Sequence, residues 1–361
     1  MRIDIHCHIV GNGTNIDNVD NDVYLYAEDN QLLFTRILAN LIEGELIRME
    51  GDLNRDGMIS TFEYFEILYR MLKESEEIDS VVLLALDALY EPTTGALNTV
   101  ETDLWVSNRF LSRKTDELNN RFKKEGITEK RFYFGASVSP NRKDWESELD
   151  YVTSQTEAVL IKLIPSTQHI HIQDECHRDF YTMLAKKNMP LLCHVGPEYS
   201  FPEGIRNKNL DNFKYLERPL ECGVTVIAAH CASPVFPIID QNVMKDFFKF
   251  MEDANSGGKV RLWADTSALS LSTRLPFISE ILNTFPPQWL VHGTDFPLPI
   301  DGWTHLPIIT PDITTEEYIG ICKTKNFLDK DVRIKRAHGF SDSIIENAEK
   351  VLRMPSKQPR P

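Results

Sequence analysis

Two histidines near the beginning of the chain have a spacing that suits metal binding. The run Asp4-Ile5-His6-Cys7-His8 alternates polar and apolar side chains, and in a β-strand this alternation places Asp4, His6 and His8 on one face. Two imidazoles at the C-terminal end of a strand converge on one point, and neutral imidazole is the commonest protein ligand for transition metals. We expect Asp4, one step deeper, to orient a ligand or to line the floor below it. Alone, such a short motif is weak evidence.

Polar residues of the same kind recur at the ends of later apolar runs. They are Lys162, His194, His230 and Asp295. In a barrel of parallel strands the C-terminal ends meet at one rim, which carries the chemistry. Any one of these side chains alone is better explained as a buried, hydrogen-bonded polar residue. Their joint recurrence at strand ends indicates a single site.

The elements that must position these residues are eight apolar runs, most of them followed by a polar loop and a helical pattern. We predict strands at residues 2–7, 80–87, 131–138, 158–164, 190–195, 224–230, 260–266 and 289–294. Apolar strands that alternate with helices indicate a parallel sheet buried on both faces. Eight of them favour an α/β fold of the (β/α)₈ TIM-barrel type. An open doubly wound sheet is the alternative, but it usually shows a glycine-rich phosphate-binding turn, and we find none.

A second metal-binding motif lies between the first two predicted barrel strands. Residues 52–63 match an EF-hand calcium loop, whose predicted ligands are Asp52, Asn54, Asp56, the carbonyl group of Met58, Ser60 and Glu63. Helical patterns on both sides predict a helix-loop-helix insertion over 33–75. EF-hands normally pair and no second loop is found, so we expect a structural support for a lid over the site. The alternative is a helix-turn-helix whose polar turn binds no ion.

The order of the polar strand ends resembles the amidohydrolase superfamily of metal-dependent barrels. The resemblance consists of Asp-x-His-x-His on strand one, Lys on strand four, His on strands five and six, and Asp on strand eight, and it covers nearly the whole chain. It is closest to the amidohydrolase-related branch that includes one-metal decarboxylases and uncharacterised hydrolases. The resemblance implies a divalent ion, most often zinc, held by His6, His8, His194 and Asp295.

The resemblance leaves the number of metal ions open. Two-metal relatives carry a carbamylated lysine on strand four, and in that case Lys162 and His230 would join the ligand set. We favour one metal and an unmodified Lys162, whose buried ammonium group would need an anionic partner. Zinc with an open coordination position activates water near neutral pH. Asp295 is then the expected base, and His230 is expected to polarise a substrate oxygen or to carry a proton.

Composition excludes several classes of function. The 361 residues include 39 Lys and Arg against 54 Asp and Glu, a formal charge of -15, which argues against nucleic-acid or anionic-membrane partners. The 6 cysteines show no Cys-x-x-Cys pair, and we expect a cytoplasmic protein. We find no signal region and no apolar run of membrane-spanning length. We expect a single barrel domain over 1–354, a frayed tail over 355–361, and a homodimer by default.

The leading functional hypothesis is a metal-dependent hydrolase that cleaves an amide, lactone or ester-like bond of a small molecule with metal-activated water. The first alternative is a lyase, a decarboxylase or hydratase of an unsaturated or aromatic acid. An arginine that binds a substrate carboxylate would favour it, and Arg109, Arg206 and Arg218 are the candidates. The second alternative is a non-catalytic calcium-binding barrel. Residues of the rim loops that are candidates to face a substrate are Glu198, Trp105, Asn108 and Trp303.

Overall fold

The computed structural model describes residues 1–25, 32–300, 302–307, 310 and 313–355. Its strands are β1 (Ile3–His8), β2 (Tyr24–Leu25), β3 (Ser80–Leu84), β4 (Leu104–Trp105), β5 (Arg131–Ala136), β6 (Ala158–Leu163), β7 (Leu191–Cys193), β8 (Val226–Ala228), β9 (Leu262–Asp265) and β10 (Leu290–Val291). Apart from Pro355, the predicted tail lies outside the described residues.

The helices mostly follow the strands, as expected for a βα repeat. They are α1 (Leu33–Arg48), α2 (Thr61–Glu74), α3 (Asn108–Lys124), α4 (Trp145–Ser154), α5 (Pro165–Gln168), α6 (Arg178–Lys186), α7 (Pro202–Arg206), α8 (Glu217–Glu221), α9 (Met244–Asn255), α10 (Ile278–Thr284), α11 (Thr315–Lys323), α12 (Phe327–Ala337), α13 (Ser343–Glu346) and α14 (Ala348–Val351). None of the described helices is long and apolar enough to cross a bilayer.

The eight predicted strands form one parallel sheet, which confirms the barrel. The strand order is β1-β3-β5-β6-β7-β8-β9-β10. Backbone bonds close the ring between its ends, because the amide of Ile5 donates to the His292 carbonyl at 3.1 Å and that of His8 to the Phe296 carbonyl at 2.8 Å. The remaining pair, β2 and β4, is a separate antiparallel sheet beside the barrel mouth. All C-terminal strand ends therefore share one rim.

The alternation predicted for β1 is wrong at one point. A bulge lies between Asp4, which pairs with Val81, and Cys7, which pairs with Leu83. The alternation predicts that Ile3 and Ile5 face away from the histidines. Both instead pack with the residues of the barrel interior. The Asp4 carboxylate instead accepts hydrogen bonds from the backbone and hydroxyl group of Thr294 at 3.0 and 2.7 Å. Asp4 thus ties β1 to the segment after β10, and another carboxylate orients His6.

Helices α1 and α2 form the insertion between β1 and β3. Helix α2 begins with a capping box, in which Ser60 and Glu63 satisfy each other's backbone amides. Its buried face carries Tyr64, Phe65 and Leu68 and packs into the core between strands and helices. Helix α1 lies over the barrel mouth, where side chains of its inner face line the same cavity as residues of the rim. The sequence had indicated a lid at this position.

Candidate metal centre

Three predicted ligand atoms converge at the C-terminal end of β1. The Nε2 atoms of His6 and His8 are 3.1 Å apart, and Asp295 Oδ1 lies 3.4 Å from the first and 3.3 Å from the second. Ligand bonds of roughly 2.0–2.1 Å in a tetrahedral zinc site separate the ligand atoms by about 3.3 Å. The spacing of these three atoms therefore fits a divalent ion.

His194 has a buried ring nitrogen that suits it to metal binding. It follows β7 directly, is 5% exposed, and its Nε2 atom is buried with no hydrogen-bond partner among the described residues. Burial lowers the pKa of His194 to about 4, so its ring is neutral at neutral pH. A buried nitrogen left unpaired costs about 1–3 kcal/mol, a cost that coordination to a metal would remove. His6, His8 and Asp295 thus fit a metal by the spacing of their atoms, and His194 fits one by its chemistry.

His230 lies beside this set. Its ring centre is 5.0 Å from that of His194 and 5.3 Å from that of His6, and ligand atoms of His6, His230 and Asp295 lie within 4.8 Å of one another. Burial lowers its pKa well below the ordinary value. The structure therefore brings together every histidine predicted at the strand ends, and His230 is placed either to act on a substrate or to join a second ion.

Asp265, at the end of β9, orients two of the imidazoles and was missed in the sequence. Its Oδ2 lies 2.7 Å from His6 Nδ1, and its Oδ1 accepts the His230 amide at 2.8 Å. Ser267 Oγ contacts Nδ1 of both rings, at 3.0 Å from His6 and 2.8 Å from His230. Because the ionised Asp265 accepts a hydrogen bond from His6 Nδ1–H, the Nε2 atom of the neutral ring keeps a free electron pair.

Electrostatics keep the two carboxylates of the cluster ionised. Burial raises the pKa of Asp265, but attraction to His6 and a hydrogen bond from it outweigh burial, and the pKa lies below the ordinary value. In Asp295 burial is likewise outweighed, by His6 and His230, and the pKa is well below the ordinary value. An ionised carboxylate is what a metal ligand or a general base requires.

Lys162 lies beneath the imidazoles, fully buried on β6. Its Nζ atom is 3.1 Å from His6 Nε2, and burial lowers its pKa. Its position is that expected of the strand-four lysine. Whether it is carbamylated stays a prediction, and the unmodified form is the one that we favour.

The backbone is left-handed at two of the predicted site residues. His230 and the two residues after it have φ values of 58°, 53° and 51°, and Asp295 has φ 67°. A non-glycine residue held in such a conformation costs about 1–3 kcal/mol, and such residues cluster at functional sites. Hydrogen bonds hold the strain in place, including the one from the Asp295 amide to the His6 carbonyl at 2.8 Å.

The ligands open into a cavity of about 360 Å³, which we call the reaction cavity. His8, His194, His230 and Asp295 lie on its wall, as does Glu198, whose Oε2 is 3.6 Å from His194 Nε2. Leu38, Leu41 and Ile42 of α1 also line it. The volume is in the range of ordinary small-molecule sites.

A second residue missed in the sequence is Arg274, in the loop after β9. It lines the reaction cavity and is 3% exposed. Its Nη1 donates to Ser233 Oγ at 3.1 Å, and its Nε has no hydrogen-bond partner within the part of the chain that the structure describes. Among the described residues no carboxylate lies within ion-pair distance of it, whereas Asp295 and Glu198 attract it from further away. A buried guanidinium without a paired carboxylate is suited to bind an anionic ligand.

The arginines named in the sequence lie elsewhere. Arg109 pairs with Glu148 at 2.9 Å, Arg206 with Glu203, and Arg218 with Glu221 at 2.9 Å. Each charge is satisfied by a neighbouring carboxylate. No pattern in the sequence distinguished Arg274 from these, because its loop position follows from the fold alone.

Two of the predicted substrate-facing residues are placed outside the reaction cavity. Asn108 is 4% exposed, and its amide group bonds to Ser137 and Glu148 at the start of α3. Trp105 lies on β4 opposite Tyr24, and its neighbour Leu104 lines the cavity instead. Neither residue is among the described residues that line the reaction cavity, and hydrogen bonds within the fold hold the Asn108 amide. Trp303 lies in the short helix Gly302–His305, and its side chain is outside the described part of the chain.

The predicted calcium loop is folded by its own side chains. Asp52 accepts the amides of Asp56 and Gly57 at 3.1 and 3.0 Å. Gly57 has φ 82°, the left-handed conformation that a glycine at the sixth position provides. Glu63 accepts amides on both sides of the loop, from Leu53 at 2.8 Å and Ser60 at 2.9 Å. Calcium binding by Asp52, Asn54, Asp56, Met58, Ser60 and Glu63 stays a prediction.

The loop departs from the EF-hand pattern on its N-terminal side. Helix α1 ends at Arg48, and Glu50 follows with φ 58°. Helix α1 therefore ends before the loop rather than running into it. The loop nevertheless joins the helix above the barrel mouth to helix α2, so its conformation bears on the position of α1.

Comparisons with known proteins give no family for the chain. No protein-family model matches it, and no curated protein matches it in sequence. Solved structures that resemble it include an uncharacterised TIM-barrel protein from Bordetella bronchiseptica (14% identity, 93% of this chain and 99% of that chain, TM-score 0.47).

Two others are a putative 2-pyrone-4,6-dicarboxylic acid hydrolase from Pseudomonas putida (10% identity, 93% and 97%, TM-score 0.47) and 5-carboxyvanillate decarboxylase from Novosphingobium aromaticivorans, complexed with manganese and a nitrobenzoic acid (12% identity, 97% and 95%, TM-score 0.47). At these values the similarities do not bear on the reaction, which is inferred below from the site itself.

Proposed function

We propose that this protein is a metal-dependent hydrolase of a small carboxylate-bearing molecule. One observation carries the proposal: the ligand atoms of His6, His8 and Asp295 lie 3.1–3.4 Å apart, beside a buried and unpaired His194 nitrogen. His6, His8, His194 and Asp295 would hold the ion, and their nitrogen and carboxylate oxygen atoms match the ligand preference of Zn²⁺. Such an ion polarises a carbonyl group and acidifies bound water.

The protein's own groups complete the proposed chemistry. Asp295, kept ionised by the histidines around it, accepts the proton of the attacking water. His230, neutral and held at Nδ1 by the Ser267 carbonyl, has an unprotonated Nε2 that is placed to take up a proton and return it to the product. Arg274 binds the carboxylate of the substrate. The apolar side chains of α1 restrict the access of bulk water to the cavity.

A lyase is the second candidate, and Arg274 is the observation that favours it. Decarboxylases and hydratases must hold a substrate carboxylate, and Arg274 lies in the same cavity as Asp295 and His230. In decarboxylation the carbon–carbon bond to the carboxylate breaks, carbon dioxide leaves, and a proton takes its place on the remaining carbon. His230 and Asp295 are the groups in reach to carry that proton.

Product analysis separates the two reactions. The zinc- or manganese-loaded protein is incubated with carboxylated lactones, esters and amides and with hydroxylated benzoic acids, and products are identified by mass spectrometry in ¹⁸O-labelled water. Hydrolysis puts label into a new carboxylic acid, hydration puts it into an alcohol, and decarboxylation releases carbon dioxide. Absence of any turnover by the metal-loaded protein, across substrates that do bind, would contradict the enzymatic function.

Arg274→Met is expected to weaken the binding of carboxylate ligands by roughly 10- to 100-fold, since a hydrogen bond to a charged group contributes about 1.5–3 kcal/mol. The affinity for the matching methyl esters should change little. Titration calorimetry of benzoate and methyl benzoate with the metal-loaded protein measures both. Arg218→Met is the control, because Arg218 pairs with Glu221 on the surface. Equal weakening for acid and ester would indicate general damage to the cavity and not a carboxylate subsite.

We further propose that residues 52–63 bind Ca²⁺, on the strength of the ligand pattern. Calcium at about 100 times its dissociation constant is then expected to raise the free energy of unfolding by about 2.7 kcal/mol, and Asp52→Asn is expected to remove most of this gain. Thermal unfolding with calcium or with a chelator tests it. Asp150→Asn, which alters an exposed carboxylate paired with Lys187, is the control. A calcium effect that Asp52→Asn leaves intact would place the ion elsewhere.

A further inference from the structure

A second cavity of about 260 Å³ lies beneath α1, next to the reaction cavity. We call it the distal chamber. Its walls are mainly apolar and include Leu25, Leu46 and Ile59, together with Thr35 of α1. Thr35 is 7% exposed, and its hydroxyl group bonds back to the Leu32 carbonyl at 2.8 Å. The distal chamber contains none of the predicted metal ligands, so the chemistry described above does not use it.

The two cavities adjoin each other. Val10, Leu38, Ile42, Leu104 and Phe201 line both. Ser200 lines both spaces as well, so the boundary between them is apolar apart from one hydroxyl-bearing residue. A molecule held at the metal ligands therefore meets an apolar boundary in the direction of the distal chamber. Helix α1 covers both spaces and contributes Leu38 and Ile42 to the shared wall.

The reaction cavity and the distal chamber differ in the charged side chains that line them. In the reaction cavity Arg274 lies on the wall together with Asp295 and Glu198, whereas the described lining of the distal chamber has Asp103 and Glu43 but no lysine or arginine. A second anionic group in the distal chamber would meet carboxyl groups and an apolar wall, and both disfavour it. The far end of a ligand is therefore expected to be uncharged.

We propose that the distal chamber binds an uncharged apolar arm of the substrate, whose reacting end and single carboxylate occupy the reaction cavity. This inference rests on the proposed function and names the substrate class more closely: a monocarboxylic acid derivative with an extended alkyl or aryl group. A substrate no larger than one ring would leave an apolar space beside the site empty. An apolar arm that fills it gains the free energy of burial and also packs against α1.

The test is a series of ω-phenylalkanoic acids of increasing chain length, together with the matching ω-phenylalkanols and α,ω-dicarboxylic acids, titrated into the metal-loaded protein. Affinity for the monoacids should rise about three- to fourfold for each added methylene group until the distal chamber is full. Dicarboxylic acids of equal length should not show this rise. Thr35→Phe, which places a ring in the distal chamber, should abolish the rise and leave benzoate binding unchanged.

Thr35→Val is the matched variant, since it removes the hydroxyl group without filling the distal chamber, and it should behave like the wild type. Thermal unfolding of both variants confirms that they are folded. Affinity independent of length, or a rise that Thr35→Phe leaves intact, would overturn the inference even where benzoate binds through Arg274. If the alkanols alone show a length dependence that Thr35→Phe abolishes, the apolar subsite stands and the proposed carboxylate specificity fails.

Discussion

Asp295→Asn is expected to lower the turnover of the metal-loaded enzyme by roughly 10²- to 10⁴-fold, the usual contribution of a general base. The asparagine keeps the shape of the side chain but cannot take a proton from water. It also removes the negative charge that faces His6 Nε2 and His8 Nε2 at 3.4 and 3.3 Å, so metal binding should weaken as well. Turnover is measured at saturating metal so that the two effects are separated.

Asp342→Asn serves as the control for the loss of a carboxylate, because Asp342 pairs with Arg336 at the surface. It should leave turnover unchanged. If Asp295→Asn turns over as fast as the wild type with the metal bound, Asp295 is not the base. His230 would then be the remaining candidate in the cluster, and His230→Gln would be the variant to examine.

Asp265→Asn is expected to weaken metal binding by about 10- to 100-fold, the typical effect of removing a partner of a ligating histidine. Asp265 does not line the reaction cavity, but its carboxylate accepts a hydrogen bond from His6 Nδ1–H at 2.7 Å and another from the His230 amide. The asparagine amide can turn its own N–H group towards the N–H donors of His6 and His230, where it cannot accept a hydrogen bond. The tautomer of His6 is then no longer fixed. Competition with a chromophoric chelator measures the change in metal affinity.

The control for Asp265→Asn is Asp87→Asn, in which a buried carboxylate paired with Arg142 is altered away from the metal ligands. It should affect the unfolding temperature more than the metal affinity. Ser267→Ala should also weaken metal binding, but less than Asp265→Asn does. That result would support the orienting role, since Ser267 Oγ contacts the rings of His6 and His230. Unchanged metal affinity in Asp265→Asn would contradict the orienting role.

The sequence was sufficient to predict the barrel, because burial on both faces leaves a recognisable apolar run for each strand. All eight runs became strands of one sheet, although the last is confined to Leu290–Val291. The same reasoning placed His6, His8, Lys162, His194, His230 and Asp295 near one another, since parallel strands end at a common rim. The grouping of these side chains at the rim followed from the topology of the barrel.

Local geometry was harder to predict. The bulge between Asp4 and Cys7 breaks the alternation of β1, so that Ile3 and Ile5 belong to the cluster inside the barrel and Cys7 to the cluster outside it, which no alternation pattern reveals. Asp265 ends a predicted strand, so the rule that identified the other ligands could have found it. Arg274 follows that strand by a loop whose path is set by packing, and it looks like any other arginine in the sequence. Asn108 and Trp105 do not line the reaction cavity, because proximity to a strand end does not fix the direction of a side chain.

The measurement that tests the central claim most directly is the metal content of the purified protein, determined by elemental analysis beside that of a His6→Ala/His194→Ala variant. The proposed site predicts about one transition-metal ion per chain in the wild type, and far less in the variant at an unchanged calcium content. Calcium alone would favour the non-catalytic calcium-binding barrel. A wild type that holds no transition metal, even after reconstitution with zinc or manganese, would contradict the metal-dependent enzyme.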